Sequence, residues 1–348
     1  MSKIKVGVLG ATGAVGQKFV KLLENHPWFE VTALAASDRS AGKPYAEAVP
    51  WKQNTPIPAA VKNKKVQPCV PELDCKIVFS GLDSSIAGEA EEAFARAGYA
   101  VLTNSKNHRM DRYVPLVIPE INHDHLRIIE KQQHESNWKG MIVANSNCST
   151  MFLTMALAPL YRTFGVEKVM VTTMQAVSGA GYPGVPSLDI LGNVVPFIND
   201  EEEKLEIEPQ KICGDYVDGE IRYAPFVVSA HCNRVAVEDG HTECVSVKLA
   251  RKASLDEVRS VLTLKSLPQE LGLPSAPSDA LIVCEQRDRP QPRFDVNTAD
   301  GMATLVGRLR PCPILDYKFV ALGHNTIRGA AGAAILNAEL LKAQGYIG

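Results

Sequence analysis

The strongest constraint on the fold lies within the first sixteen residues. Residues 4–9 (IKVGVL) form a short apolar run with β-branched residues, the pattern of a strand buried in a parallel sheet. Gly10–Gly16 then reads GATGAVG, and a helix follows with Val15, Phe19, Leu22 and Leu23 on one face, stopped by Pro27. A glycine-rich turn between strand and helix places backbone N–H groups and a helix N-terminus where a pyrophosphate binds. Gly10, Gly13 and Gly16, with Thr12, Ala14 and Val15 between them, are a GxxGxxG variant of the dinucleotide fingerprint. Such a turn can also merely tighten a loop. Its place after the first strand and before an amphipathic helix favours the cofactor reading.

Further strands are expected at 31–36, 76–80, 99–103, 115–118 and 141–145, with a helix at 84–97. Strands alternating with helices predict an α/β chain opening with a Rossmann-like dinucleotide-binding domain. After about residue 150 the segments 167–177, 226–237 and 242–249 read as longer strands, some with polar alternation. They predict an α+β second domain with one sheet face packed on helices. The Ala-rich stretch Ile327–Gln344, after a strand at 317–322, is expected to return and complete the first domain. The domains expected are therefore 1–147, completed by 326–348, and 148–325. Residues 52–70 and 285–300 read as surface excursions.

Lys plus Arg number 37 against 39 Asp plus Glu, a net charge of −2 that argues against bulk nucleic-acid binding. No run approaches the ~18 apolar residues of a membrane span. The amino terminus enters a strand at once, without a secretory layout. Eight scattered cysteines with no CxxC pair fit reduced thiols in a cytoplasmic protein. His231, Cys232 and Cys244 match no zinc spacing, so no metal is expected.

The second strand is followed by Ser37, Asp38, Arg39 and Ser40. An acidic residue there would bond a ribose hydroxyl, as in NAD enzymes, whereas an Arg accommodates a 2′-phosphate. Arg39 between two serines favours NADP, with Asp38 as the residue of doubt.

Residues 145–150 (NSNCST) lie between the strand MIVAN and an apolar helix. Cys148 would sit at the helix N-terminus, where the field lowers a thiol's pKa toward neutrality, with Asn147 as cap. A buried inert cysteine is the commoner fate of the residue. Polar neighbours on both sides favour a catalytic nucleophile.

With these motifs in place, the chain resembles the aspartate-semialdehyde dehydrogenase family, and most of all its fungal and archaeal-type branch. The resemblance rests on GATGAVG, SDRSAGK (37–43), SNCST (146–150), QAVSGAGYPG (175–184), EPQKI (208–212), NRVAVEDGH (233–241) and HNTIRGAAG (324–332). It implies reversible, NADP-dependent reduction of L-4-aspartyl phosphate to L-aspartate 4-semialdehyde through a thioacyl on Cys148, in lysine, threonine and methionine biosynthesis. It also implies a homodimer or homotetramer whose second domain is catalytic and dimerising. By the same resemblance His241 is the proton acceptor and Gln175 orients the thioester. Arg234 binds the substrate carboxylate, Glu208 faces its ammonium, and Lys211 and Arg109 bind phosphate beside Asn147. Ser178, Gly179, Asn325 and Thr326 border the nicotinamide, and Ser80 lies along the cofactor.

Two reductases of the same fold are rivals, one acting on malonyl-CoA and one on N-acetyl-glutamyl phosphate. Glu208 is the expected discriminator, because neither substrate carries a free α-ammonium. It also disfavours a glyceraldehyde-phosphate-like dehydrogenase. A non-catalytic NADP sensor would have no need of Cys148, His241, Arg234 and Gln175.

Overall fold

The computed structural model describes residues 2–263 and 266–348. Met1, Leu264 and Lys265, which fall within the two expected domains, lie outside the described residues. Six strands build a parallel sheet: β1 (Ile4–Leu9), β2 (Phe29–Ala36), β3 (Gln67–Pro68), β4 (Ile77–Ser80), β5 (Ala100–Thr103) and β6 (Met141–Ala144). Their order is β3-β2-β1-β4-β5-β6, so the chain reverses its direction of travel between β1 and β4. In open α/β sheets the ligand crevice lies at that switch point, beyond the carboxyl ends of the strands. The glycine turn leads there into α1 (Ala14–Leu22), and α2 (Ser84–Arg96) follows β4.

Helix α1 ends at Leu22, well before Pro27. The segment 115–118 is extended but makes only a single bridge, Leu116 to Ala144. Pro115 opens it and Pro119 follows it, and a residue without an N–H cannot continue a ladder. The 52–70 excursion carries β3, which extends the sheet edge through Ala35 and Ala36.

After β6 the chain enters α3 (Cys148–Phe164), and further on α4 (Glu201–Ile212). A second six-stranded sheet holds β7 (Val166–Gln175), β10 (Val227–Arg234), β11 (His241–Leu249), β12 (Leu281–Val283), β13 (Thr304–Pro311) and β14 (Tyr317–Gly323). A small hairpin, β8 (Asp215–Val217) and β9 (Glu220–Arg222), stands apart from it. Within the second sheet the order is β10-β7-β11-β14-β13-β12. Burial alternates along β7, β10 and β11, so one face is covered and the other is open. The covered face packs on α3, which is apolar nearly all round because it also belongs to the core of the first sheet.

The C-terminal segment opens as a single π-turn, Ile327–Ala331, before α5 (Gly332–Ala343). Its buried residues join the core of the first sheet, where α5 lies against β4 and β5. Thus α3 and the π-turn lie where the two sheets meet.

Candidate active site

Asn147 opens α3 as the sequence suggests. Its Oδ1 accepts the Ser149 and Thr150 amides at 2.9 and 3.1 Å, which orients the first turn and places Cys148 at the helix start. Opposite lies the end of the second sheet. Register pairs Arg234 with Gln175 and His241 with Gly323, so these positions form one row across β10, β7, β11 and β14. His241 is fully buried, and its Nε2 lies 3.2 Å from the Cys148 Sγ. Its Nδ1 accepts the backbone amide of Ala176 at 3.1 Å. Arg234 donates to the Ala176 carbonyl at 2.8 Å. A Cβ on Gly179 would come within 2.9 Å of Arg234 Nη1 and 3.0 Å of His241 Cε1, so this loop can close over the row only without a side chain. From the other side a Cβ on Gly329, in the π-turn, would stand 2.7 Å from the Cys148 Cβ.

The electrostatics of the nucleophile differ from the sequence expectation. Desolvation pushes the Cys148 thiol up to about 12, and the nearby Glu201 carboxylate adds to the rise. Arg109, Arg234 and the Ser149 amide pull the other way without overcoming burial. The helix field therefore does not leave a thiolate at neutral pH in the free protein. Burial, then Arg234 and His324, lowers His241 to about 3, so its ring is neutral.

Glu208 and Lys211 are both tied into the protein by hydrogen bonds. Glu208 is buried and both of its oxygens are engaged: Oε1 accepts Arg109 Nη1 at 2.9 Å and Oε2 accepts the Asn147 amide at 2.7 Å. It fixes Arg109 and the helix cap, and each of its oxygens keeps a further lone pair. Lys211, on the same face of α4, donates to the carbonyls of Arg109, Asp111 and Val114 at 2.7, 2.8 and 2.9 Å. All three ammonium protons are thus in use, and the side chain holds the loop that carries Arg109. Burial lowers it to about 8. Arg109 itself donates through Nη2 to the Asn104 carbonyl at 2.8 Å and keeps a buried Nε without a partner among the described residues.

Sequence reasoning missed Glu201 and Glu243. Glu201 Oε1 accepts Asn147 Nδ2 at 2.8 Å, yet the residue sits in an EEE run that reads as a solvated face. Glu243 is fully buried one row beneath His241, with neither oxygen hydrogen-bonded among the described residues. Burial, with Glu201 beside it, raises it well above the carboxylate range. Strand alternation from His241 was the signal that could have placed it on the same face.

At the nucleotide end, α1 has neither a side-chain cap nor an acidic residue in its first turn, so its leading amides remain open to an anion. A Cβ on Gly16 would meet the Gly10 carbonyl at 2.2 Å, so this glycine serves helix–strand packing. A Cβ on Gly13 would meet one atom within 4 Å, the Gly10 carbonyl oxygen at 3.3 Å, so its other sides are open to a ligand's close approach. Ser37, Arg39 and Ser40 lie on the turn after β2, and Arg39 has no ion-pair partner among the described residues. Asn325 donates to Ser178 at 2.8 Å and accepts the Gly240 amide at 2.8 Å, tying the segment before the π-turn to the His241 side. Thr326 is half-buried beside it. Ser80 is not part of this array: its buried hydroxyl donates to Glu91 at 2.6 Å.

His231 and Cys244 lie on the open sheet face while Cys232 points into the core, so the three do not converge. All eight cysteines are free.

A dinucleotide crevice opposite a cysteine at a helix start, with a histidine on its sulfur, is the arrangement of a nicotinamide-dependent dehydrogenase that works through a cysteine. Residues 5–129 match the semialdehyde dehydrogenase NAD binding domain, and residues 157–328 match the semialdehyde dehydrogenase dimerisation domain. The chain is 49% identical to the aspartate-semialdehyde dehydrogenase of Archaeoglobus fulgidus over 97% of this chain and 98% of that one. It is 50% identical to that of Schizosaccharomyces pombe over 99% of both. A crystal structure of the Candida albicans aspartate-semialdehyde dehydrogenase with NADP superposes with a TM-score of 0.92 at 45% identity, covering 99% of this chain and 100% of that one. The protein belongs to the aspartate-semialdehyde dehydrogenase family.

Proposed function

We propose that this protein interconverts L-4-aspartyl phosphate and L-aspartate 4-semialdehyde with NADP(H), through a thioacyl on Cys148. The observation that carries this reading is the 3.2 Å contact between His241 Nε2 and the Cys148 sulfur, beside Arg234 and Arg109. Cys148 forms the thioester, which accepts hydride where a carboxylate would not. Arg234 offers a planar fork to the substrate carboxylate, and Arg109, held by Glu208, faces the phosphate. Gln175, at the end of β7, orients the thioacyl. Ser178, Gly179, Asn325 and Thr326 border the nicotinamide.

The residues that would hold NADP are the open amides after Gly13 and the Ser37–Ser40 turn with Arg39. Bound there, the reduced cofactor supplies the hydride. Residues 1–147 with 326–348 then form the cofactor unit, and 148–325 the catalytic and dimerising unit.

Association as a homodimer, alone or paired into a tetramer, fits the open face of the second sheet. There Met170 is 52% and Val227 61% exposed on neighbouring strands, apolar surface that a second copy would cover. Among the described residues no helix is long and apolar enough to cross a membrane. Eight free thiols support a reducing cytoplasm.

The test is NADPH formation from aspartate semialdehyde, NADP⁺ and phosphate, run beside malonyl semialdehyde with CoA. Phosphate-dependent turnover with the first pair, lost in Cys148→Ala, is expected. Activity only with the malonyl pair would refute the reading.

A further inference from the structure

Resting on the dehydrogenase reading above, the geometry points to Arg328 as a positioning residue for hydride transfer. Paired with Glu120, it holds the π-turn that joins the nicotinamide side of the site to the back of the nucleophile. The turn's bonds run five residues apart, from the Gly329 amide to the His324 carbonyl at 3.0 Å and from the Ala331 amide to the Thr326 carbonyl at 3.3 Å. Such wide turns are rare and recur at functional sites. This one is held from several sides. Ahead of it, Asn325 is bonded to Ser178 and to the Gly240 amide at 2.8 Å each. Within it, Gly329 packs on Cys148 with no space for a side chain, and the Ala330 carbonyl accepts Asn145 Nδ2 at 3.4 Å. Arg328, next to Gly329, reaches Glu120: its Nη2 donates to Oε2 at 2.5 Å and lies 3.6 Å from the Met155 sulfur of α3. The anchor is itself fixed. Glu120 sits on the helical turn Pro119–Asn122, where Asn122 accepts the Ile118 amide at 2.9 Å and donates to the Leu116 carbonyl at 2.8 Å.

The pair is a poor source of stability. Both side chains are fully buried, yet Arg328 Nε and Nη1 and Glu120 Oε1 have no partner among the described residues. Apolar residues of similar volume serve as well or better in such a place, because two charges need not be taken out of water. What the pair supplies is direction: it ties the turn to one point of the fold, whereas an apolar pair would let it slide. Sliding would move Asn325 and Thr326 relative to a thioacyl on Cys148, and a misplacement of about 1 Å costs about 10²-fold in rate. Cys148 is placed separately, by the Asn147 cap at the start of α3. The pair therefore governs reduction of the thioacyl and not its formation.

The test is the whole protein carrying Arg328→Met and Glu120→Leu together, which strands no buried charge. Glu120→Gln, which keeps the shape and an acceptor, is the milder second variant. The double variant should match or exceed wild type in urea midpoint. Without cofactor, its amides at 325–331 should exchange about tenfold faster or more, while those at 149–160 stay unchanged. In a single turnover with aspartyl phosphate alone, phosphate release should keep its wild-type rate. Hydride transfer on adding NADPH should slow about a hundredfold, with Glu120→Gln in between. Wild-type hydride transfer, equal slowing of both steps, unchanged exchange at 325–331 or a double variant less stable than wild type each overturn the inference. Should the double variant not fold, the inference is overturned if Glu120→Gln slows both steps alike or neither. A wild type inactive on aspartyl phosphate, with the exchange difference present, would instead refute the functional reading and leave the pair's hold on the turn standing.

Discussion

The ammonium of Lys211, on α4, lies 2.7 Å from the backbone carbonyl of Arg109, in a loop far away in sequence. Together with Glu208, one turn earlier, it makes α4 the element that holds Arg109 in place and caps the nucleophile helix. Replacing Lys211 by Met would leave the buried Arg109 and Val114 carbonyls without a hydrogen-bond partner, while the Asp111 carbonyl would keep only the Val114 amide at 3.3 Å. The expected cost is about 3 kcal/mol or more of stability, read by urea unfolding. Faster amide exchange in residues 105–114 of the ligand-free variant is also expected. Unchanged exchange there would mean that Lys211 acts on the ligand and not on the loop.

Arg39→Ala should weaken NADP binding by about tenfold or more and leave NAD binding nearly unchanged, because only the 2′-phosphate loses a partner. Titration of both cofactors by fluorescence quenching decides it. Equal losses would show that Arg39 does not read the phosphate.

Gly179→Ala should fold normally and lose about a hundredfold in kcat. Its Cβ would intrude to 2.9 Å from Arg234 and 3.0 Å from His241 Cε1, displacing both from the reacting group. Wild-type kcat with an unaltered melting temperature would contradict the packing described for that loop.

The folded His241 titrates near 3 and the ordinary value is 6.5, so between those limits the unfolded chain binds more protons. This group's contribution to stability is fully present above pH 6.5 and is lost as pH falls toward 3, by at most about 1.4 kcal/mol per pH unit. His324, lowered to about 4, acts in the same direction. Urea midpoints of His241→Gln should therefore fall less steeply than wild type between pH 6 and about 4. Parallel slopes would indicate a His241 with an ordinary pKa.

Much of this architecture could be read from local pattern. IKVGVL before GATGAVG defined the first strand and turn because apolar periodicity and glycine spacing are short-range signals. NSNCST between a strand and an apolar helix located Cys148 for the same reason. β13 was not anticipated: its first four residues, Thr304–Gly307, are buried in a row, and Arg308 and Arg310 on either side of buried Leu309 obscure the alternation. What local pattern could not carry is partnership across the chain. Lys211 and Glu208 matched ligand-binding positions by type. Their hydrogen bonds run to residues about a hundred positions away, and only the folded packing of α4 against the Arg109 loop assigns them. The thiol expectation failed similarly, because a helix-terminus field is local whereas the burial that outweighs it comes from β11, the π-turn and α4.

The most direct test of the central claim is the intact mass of the protein mixed with aspartyl phosphate in the absence of NADPH. An aspartyl adduct on the whole protein is expected, located by peptide mapping to residues 140–162, discharged as the semialdehyde when NADPH is added and missing in Cys148→Ala. Steady turnover of aspartyl phosphate and NADPH by a Cys148→Ala protein that forms no adduct would contradict it.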